Sequence, residues 1–402
     1  MVNEHPVRPR FDILAVIMLG GFVNFLTIIQ LSPLVPAIAG EFGVGVALAG
    51  QLATTTAVVS FLGSILATPL MDRFSRRAWI RAEAGLLVLG LAVSVAAPSF
   101  PALVAGRAIA GLGLAVLTAN GYAVAREVFA EPWRTRSVGL FVSASILAYI
   151  VGLPVVAAVN AAAGWRAALA VTALPLALLL LGSGRIPAVR PPAVAGGLLG
   201  AFRVVGGHPE VLWLYAAIAA VIGAYGGWLA YFGAWLEDGF AIAASVLGLL
   251  FLVSGSVELL GNNLVPPLIR RVGPAPVVAA GAVACAVPLL LAGTAFASIP
   301  AAFVMAALMN VGSAAVIIGV NARLLEVPTA APGAVMSLGA AANGLGGWSG
   351  PLLAGWLLAS SGRYPVAYRA LGLLSLAAAV FVLFASRSRS RAVSDAAVAA
   401  DG

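Results

Sequence analysis

Twelve long apolar segments, separated by short polar or arginine-bearing stretches, constrain this chain more than any other feature. They run over about 12–38, 45–71, 78–97, 100–125, 138–160, 164–185, 210–235, 243–269, 275–296, 299–322, 332–360 and 366–385. A helix needs about 20 apolar residues to cross the hydrocarbon of a bilayer, and a crossing backbone must satisfy its own hydrogen bonds. Each segment therefore reads as a transmembrane helix, and the expected class is an all-α integral membrane protein with twelve spans. Composition agrees, since 62% of the 402 residues are apolar and 9% charged, against about 45–50% and about 25% in soluble domains. These values exclude an ordinary soluble domain and a disordered chain, and the single cysteine, Cys285, excludes a disulfide scaffold. Cys285 lies inside a span and reads as a packing residue.

The formal charge of +8 does not point to nucleic acid, because that would require the charge to gather on one face or in one run. All 22 basic residues are arginines, scattered in small clusters between the apolar segments. With the N-terminus in the cytoplasm, every arginine except Arg107, Arg166, Arg363 and Arg369 falls at a cytoplasmic end. That asymmetry is the positive-inside rule, and it predicts a multi-pass protein of the cell membrane with both termini cytoplasmic. Arg8 and Arg10 precede the first apolar segment as they would in a signal peptide. That segment is too long for such a region and leads into further spans, so it reads as a retained first helix.

The longest polar interruption, from Gly184 to Glu210, divides six spans from six. The expected organisation is a six-helix bundle over 1–185, a cytoplasmic linker over 186–209, a second bundle over 210–386 and a cytoplasmic tail over 387–402. A shift of 198 residues superposes Gly63 on Gly261, Pro69 on Pro267, Leu70 on Leu268 and Arg73 on Arg271. The same shift brings Gly152 onto Gly350 and Gly164 onto Gly362. The shared offset implies two six-helix halves of equal orientation.

At the end of span two stands Thr68-Pro-Leu70-Met-Asp72-Arg73-Phe-Ser75-Arg76-Arg77. It resembles the G-x-L-x-D-R-x-G-R-R loop of the major facilitator superfamily, with Thr68 and Ser75 in place of glycine. In span four, Leu103-x-x-x-Arg107-x-x-Ala110-Gly111-x-Gly113 is similar to the family's L-x-x-x-R-x-x-Q-G-x-G without its glutamine. Span five carries a degraded copy of the G-x-x-x-G-P-x-x-G-G pattern around Gly152 and Pro154. Span eleven carries a better one in Gly346-x-x-x-Gly350-Pro351-x-x-Ala354-Gly355. With Pro33 to Gly43, these motifs resemble the twelve-span drug:proton antiporter branch. The resemblance implies the major facilitator fold, two parallel-repeat bundles with solute bound between halves. It further implies a conformational lock at Asp72, Arg73 and Arg76, with Glu127 as partner, and a proton-transfer role for Arg107. Simple topology anchoring explains the arginines of the loop equally, but not Asp72.

Arg107 lies inside span four, where an unpaired charge costs at least about 2.5–3.5 kcal/mol on the insertion scale; it must face protein or water, or snorkel to the outer interface. Glu258 is expected to be the only carboxylate deep in any span. Its helical neighbours Ser254, Gly255, Gly261 and Asn262 are polar or small, so that face is not expected to meet lipid. Glu258 is accordingly a candidate to exchange protons, the competing reading being a structural carboxylic acid bonded to Asn262 or a neighbouring helix. The glycines of spans five and eleven allow close backbone approach, and Pro154 and Pro351 favour bends. Candidate cavity residues are Asn24, Gln30, Asn120, Tyr149, Asn310, Asn343 and the span-seven series Tyr225, Trp228, Tyr231 and Phe232. Such a cavity suits a neutral, cationic or amphipathic organic solute.

A membrane-embedded enzyme is disfavoured. The two histidines, His5 and His208, lie outside the spans, and neither a metal motif nor a nucleophile turn occurs. A sensor would need a signalling module larger than the linker or tail. The expected activity is export of a small organic solute or drug in exchange for protons. Facilitated or proton-coupled uptake of a metabolite is the alternative. Neither a cofactor nor a metal is implied, and the expected partners are the solute, protons and the lipid bilayer, with one chain functioning as a monomer.

Overall fold

The computed structural model describes residues 10–67, 70–71, 73–130, 133–188, 206, 208–240, 242, 244–295, 298–327 and 332–401. Nine helical segments among them are long and apolar enough to cross a membrane. One of these, Arg136–Arg185, spans 50 residues and is divided where Gly164 adopts φ 80°. The helices Pro274–Leu290 and Pro332–Ser361 occupy the ninth and eleventh segments, so among the described residues each segment marked by hydropathy contains helix.

Helices α1 (Phe11–Ile29), α2 (Val35–Phe42), α3 (Val46–Ala67), α4 (Arg76–Val95), α5 (Phe100–Leu114), α6 (Leu117–Val128), α7 (Trp133–Leu147), α8 (Leu153–Ala170) and α9 (Ala173–Gly182) come first. After the linker follow α10 (Pro209–Phe240), α11 (Ala244–Val272), α12 (Pro274–Leu290), α13 (Ile299–Leu325), α14 (Pro332–Ser361) and α15 (Tyr364–Asp401). Contacts group 1–30 with 58–193 in one compact unit, and 31–57 with 194–402 in another. The segment 31–57, which is α2 and the first half of α3, thus packs with the helices of the second half of the chain.

In the first unit, Ile13, Val16 and Ile17 of α1 pack with Ile80, Ala84 and Leu87 of α4, Ala110 of α5, Leu117 and Val124 of α6, Phe141 of α7 and Leu179 of α9. Two interruptions shape the site. Span four breaks between α5 and α6, where Val116 has φ −128° and ψ 10° and its carbonyl accepts the Asn120 N–H at 2.8 Å. Span five contains one π-helical turn at Ala148–Gly152, directly before Pro154. That placement follows from proline's missing N–H and its clash with the preceding turn.

In the second unit α10 lies against α14 and α15. A methyl group at Gly350 would overlap the backbone of Gly223, so α10 and α14 cross with their main chains in contact, the packing that small residues permit in lipid. The internal repeat is visible in the backbone as well. Gly164 and Gly362, related by the 198-residue offset, both adopt positive φ, 80° and 65°, a conformation that only glycine takes without strain.

Candidate functional site

Within the first unit a chain of polar side chains runs from the start of α4 into the buried middle of α4 and α6. Ser75 caps α4 by accepting the Ala78 N–H at 3.3 Å, which fixes where the helix begins and places Arg76 on its inner face. Arg76 donates from Nη2 to Glu127 Oε1 at 2.9 Å and from Nε at 3.1 Å. Its Nη1 donates to Asn120 Oδ1 at 3.2 Å. Asn120, fully buried, donates from Nδ2 to both carboxylate oxygens of Glu83 at 3.2 Å. Glu83 itself is only 2% exposed. The expected partnership of Arg76 and Glu127 is present as an ion pair. Asn120, read as a cavity residue, is committed to Arg76 and Glu83. Arg73 is exposed, and Asp72 lies outside the described residues.

Glu83 corrects the expectation that Glu258 is the only carboxylate deep in a span. Sequence reasoning missed it because Arg76, Arg77 and Arg81 surround it and make the stretch resemble a cytoplasmic anchor. Its signal was a lone acid one and a half turns past Ala78, inside a segment already marked as a span. The neighbouring arginines turn to backbone or hydroxyl groups instead: Arg77 to the Ile186 carbonyl at 2.6 Å and Arg81 to Ser183 Oγ at 3.3 Å.

Arg107 is 2% exposed and donates to the Thr27 carbonyl of α1 at 2.7 Å. It does not snorkel. Tyr149 is fully buried with its ring 6.3 Å from Phe25, Gly152 lies against Leu26, and Pro154 and Asn24 are half-buried. Gln30 is 1% exposed, and its Oε1 has no hydrogen-bond partner among the described residues.

In the second unit the span-seven aromatics form a continuous stack on α10, with ring centroids 5.6 Å apart for Tyr225 and Trp228 and 4.5 Å for Trp228 and Phe232. Tyr225 donates to Asn310 Oδ1 of α13 at 2.9 Å. The next residue of α13, Val311, meets Gly261 of α11, one turn from Glu258. One turn of α13 therefore sits between the α10 aromatics and the Glu258 turn of α11. Among the described residues Trp228 Nε1, Ser254 Oγ and Glu258 Oε2 are buried and have no hydrogen-bond partner. The Asn262 side chain bonds the Glu258 carbonyl at 3.1 Å rather than its carboxyl. Asn343 is half-buried.

Tyr231 belongs to a different group in the same unit. Its hydroxyl donates to the Ala47 carbonyl at 2.9 Å and accepts from Gln51 Nε2 at 3.0 Å, while Gln51 also reaches the Pro351 carbonyl at 3.2 Å. Gly355 lies directly on Gln51 and the Tyr231 hydroxyl, and Gly346 on Ala219. Ser32 adds a bond to the Leu229 carbonyl at 2.5 Å. Gln51 was not foreseen, since a lone Gln near a span end carries no sequence pattern of its own. Among the described residues no group of three or more His, Cys, Asp or Glu side chains is placed to hold a metal ion.

The model of the Major Facilitator Superfamily matches residues 17–261, more than half of the chain. This chain belongs to that superfamily. Its fold is the multi-pass membrane fold of that superfamily. The uncharacterized MFS-type transporter YwfA of Bacillus subtilis is 27% identical over 166 residues, which cover 41% of this chain and 40% of that protein. A chloramphenicol resistance protein of Streptomyces lividans is 32% identical over 171 residues, 42% of this chain and 43% of that one. The chain thus spans about two-fifths of the length of these curated relatives. The crystal structure of a D-xylose-proton symporter superposes with a TM-score of 0.73 at 19% identity, covering 92% of this chain and 97% of that one.

Proposed function

We propose that this transporter exports small organic solutes or drugs by alternating access in exchange for protons, from a cell membrane in which both termini are cytoplasmic. The observation that carries this reading is Glu258, a carboxyl in the middle of α11 whose Oε2 is buried without a hydrogen-bond partner. Glu258 belongs to neither the Arg10–Asp12 nor the Arg76–Glu127 ion pair, and no described cation neutralises it. An ionisable group placed this way in a membrane marks an ion or proton pathway by default. The aromatic stack and the orphaned Trp228 and Ser254 atoms beside it suit a solute with an apolar ring and few polar groups. The chloramphenicol resistance protein among the relatives supports export of such a compound. On this reading Arg107 assists proton movement, Asp72, Arg73, Arg76 and Glu127 form the conformational lock, and a single chain is the working unit.

The test is transport in proteoliposomes under an imposed pH gradient, with chloramphenicol and ethidium as probes. Uphill movement of either probe driven by the gradient is expected, and Glu258→Gln is expected to abolish it while leaving exchange of probe at equal pH. A Glu258→Gln protein that still concentrates probe with unchanged pH dependence would remove Glu258 from coupling. Movement that runs only downhill would replace export by facilitation, and movement along with protons would replace it by uptake.

A further inference from the structure

The polar chain in the first unit has a direction. Arginine only donates hydrogen bonds, so Arg76 turns the carbonyl oxygen of the Asn120 amide toward itself and leaves only N–H groups for Glu83. Both hydrogen bonds to this carboxyl are donated by Asn120, and the chain of bonds ends on it as an acceptor. A proton on Glu83 would place a donor among donors. Its O–H finds an acceptor if the Asn120 amide turns over, which then presents an N–H to the Arg76 guanidinium and repels it.

We infer that Glu83 is a proton-responsive positioning residue that, through the orientation of Asn120, sets the strength of the Arg76–Glu127 ion pair. No other charge competes for it among the described residues. On α4, Arg77 and Arg81 are held by Ile186 and Ser183. On the packed helices, Arg107 of α5 is held by Thr27 and Arg166 of α8 by Ala97. On α6, Arg126 is exposed and Tyr122 lies against Phe141, and Arg185 follows α9 without forming an ion pair. Loss of one proton from Glu83 and its return from water are the only chemical changes required. The inference rests on the proposed proton exchange only for its consequence in transport, since the response of the ion pair is a property of this unit alone.

The experiment places nitroxide labels at Ala78 and Ala130, both exposed near the Arg76–Glu127 pair, in the full chain carrying Cys285→Ser. The interspin distance is read in liposomes between pH 5 and pH 8. The distance is expected to widen as pH falls. Glu83→Gln, which cannot change charge, is expected to lose this response, and Glu83→Asp to retain it. Asn120→Ala, which keeps the carboxyl but cuts the link, is expected to lose it too, and it serves if Glu83→Gln fails to insert. A labelled parent without a pH response, or one whose response survives in Glu83→Gln or Asn120→Ala, would overturn the inference. Failure of the antiport reading is distinguishable: probe transport would ignore the pH gradient while the label response persisted.

Discussion

Gly350→Ala sets two opposed effects against each other at one atom. An alanine in a helix interior is favoured over glycine by about 1 kcal/mol. At Gly350 the added methyl would run into the carbonyl, carbon and Cα of Gly223, which are backbone atoms that no rotamer change can move. To reach ordinary contact α14 must move away from α10, and that shift also disturbs Gly346 against Ala219 and Gly227 against the Gly350 carbonyl. Overpacking of this kind costs about 1–3 kcal/mol, and here the upper end applies because neither side is flexible. The net expectation is a loss of about 2 kcal/mol, or about 4–8 °C in Tm at about 2–4 °C per kcal/mol for a unit of this size. Gly347, on the same helix, has open space around the position of a Cβ, so Gly347→Ala is expected to leave Tm unchanged or raise it. Cys285 supplies the assay, because its thiol is fully buried and reacts with a thiol-sensitive dye only as the protein unfolds. A Gly350→Ala protein that melts at or above the parent temperature, or the same shift for both variants, would refute backbone contact as the basis of the α10–α14 crossing.

Tyr231→Phe deletes a hydroxyl that serves Ala47 and Gln51 at once. The partly buried groups left behind should lower stability by about 1–3 kcal/mol, and a melting curve indistinguishable from the parent would deny this group any holding role. Arg107→Met removes a buried charge at similar volume, an exchange that is often neutral or stabilising. Tm is therefore expected to hold or rise while solute transport falls about tenfold, equivalent to about 1.4 kcal/mol of barrier; a parallel loss of both would make Arg107 a structural residue.

Span number was legible because hydrocarbon thickness dictates helix length directly, and the paired turns at Gly164 and Gly362 were legible because a left-handed turn demands one residue type. The Arg76–Glu127 pair could be anticipated from a motif and a nearby acid at the same membrane edge. Glu83 could not be assigned, because its burial depends on Asn120, which is distant in sequence, and on the break at Val116, where no proline or glycine announces it. Hydropathy also treats 12–38 as one helix. Pro33 and Pro36 mark the interruption at Ser32–Leu34, yet nothing in the apolar pattern says that α2 and the first half of α3 pack with the later helices. Which unit a span end joins is decided by partners such as Leu229 and Tyr231, not by its own sequence.

On the proposed antiport reading, the surroundings of the two intramembrane carboxyls divide their roles. Both oxygens of Glu83 are occupied by Asn120, so a solute would have to break an existing bond to use them, and the group is best placed to act on its own neighbours. Glu258 has an oxygen, Oε2, that no described residue hydrogen-bonds. A cationic or hydrogen-bond-donating solute can therefore compete with a proton for it without dismantling the fold, which is the physical requirement of exchange on a shared site. It follows that Glu258→Gln should alter the affinity for a cationic probe more than for a neutral one, since the charge is lost while the acceptor remains. Glu83→Gln should change both alike. Equal losses for cationic and neutral probes in Glu258→Gln would mean that the proton and the solute do not share this carboxyl.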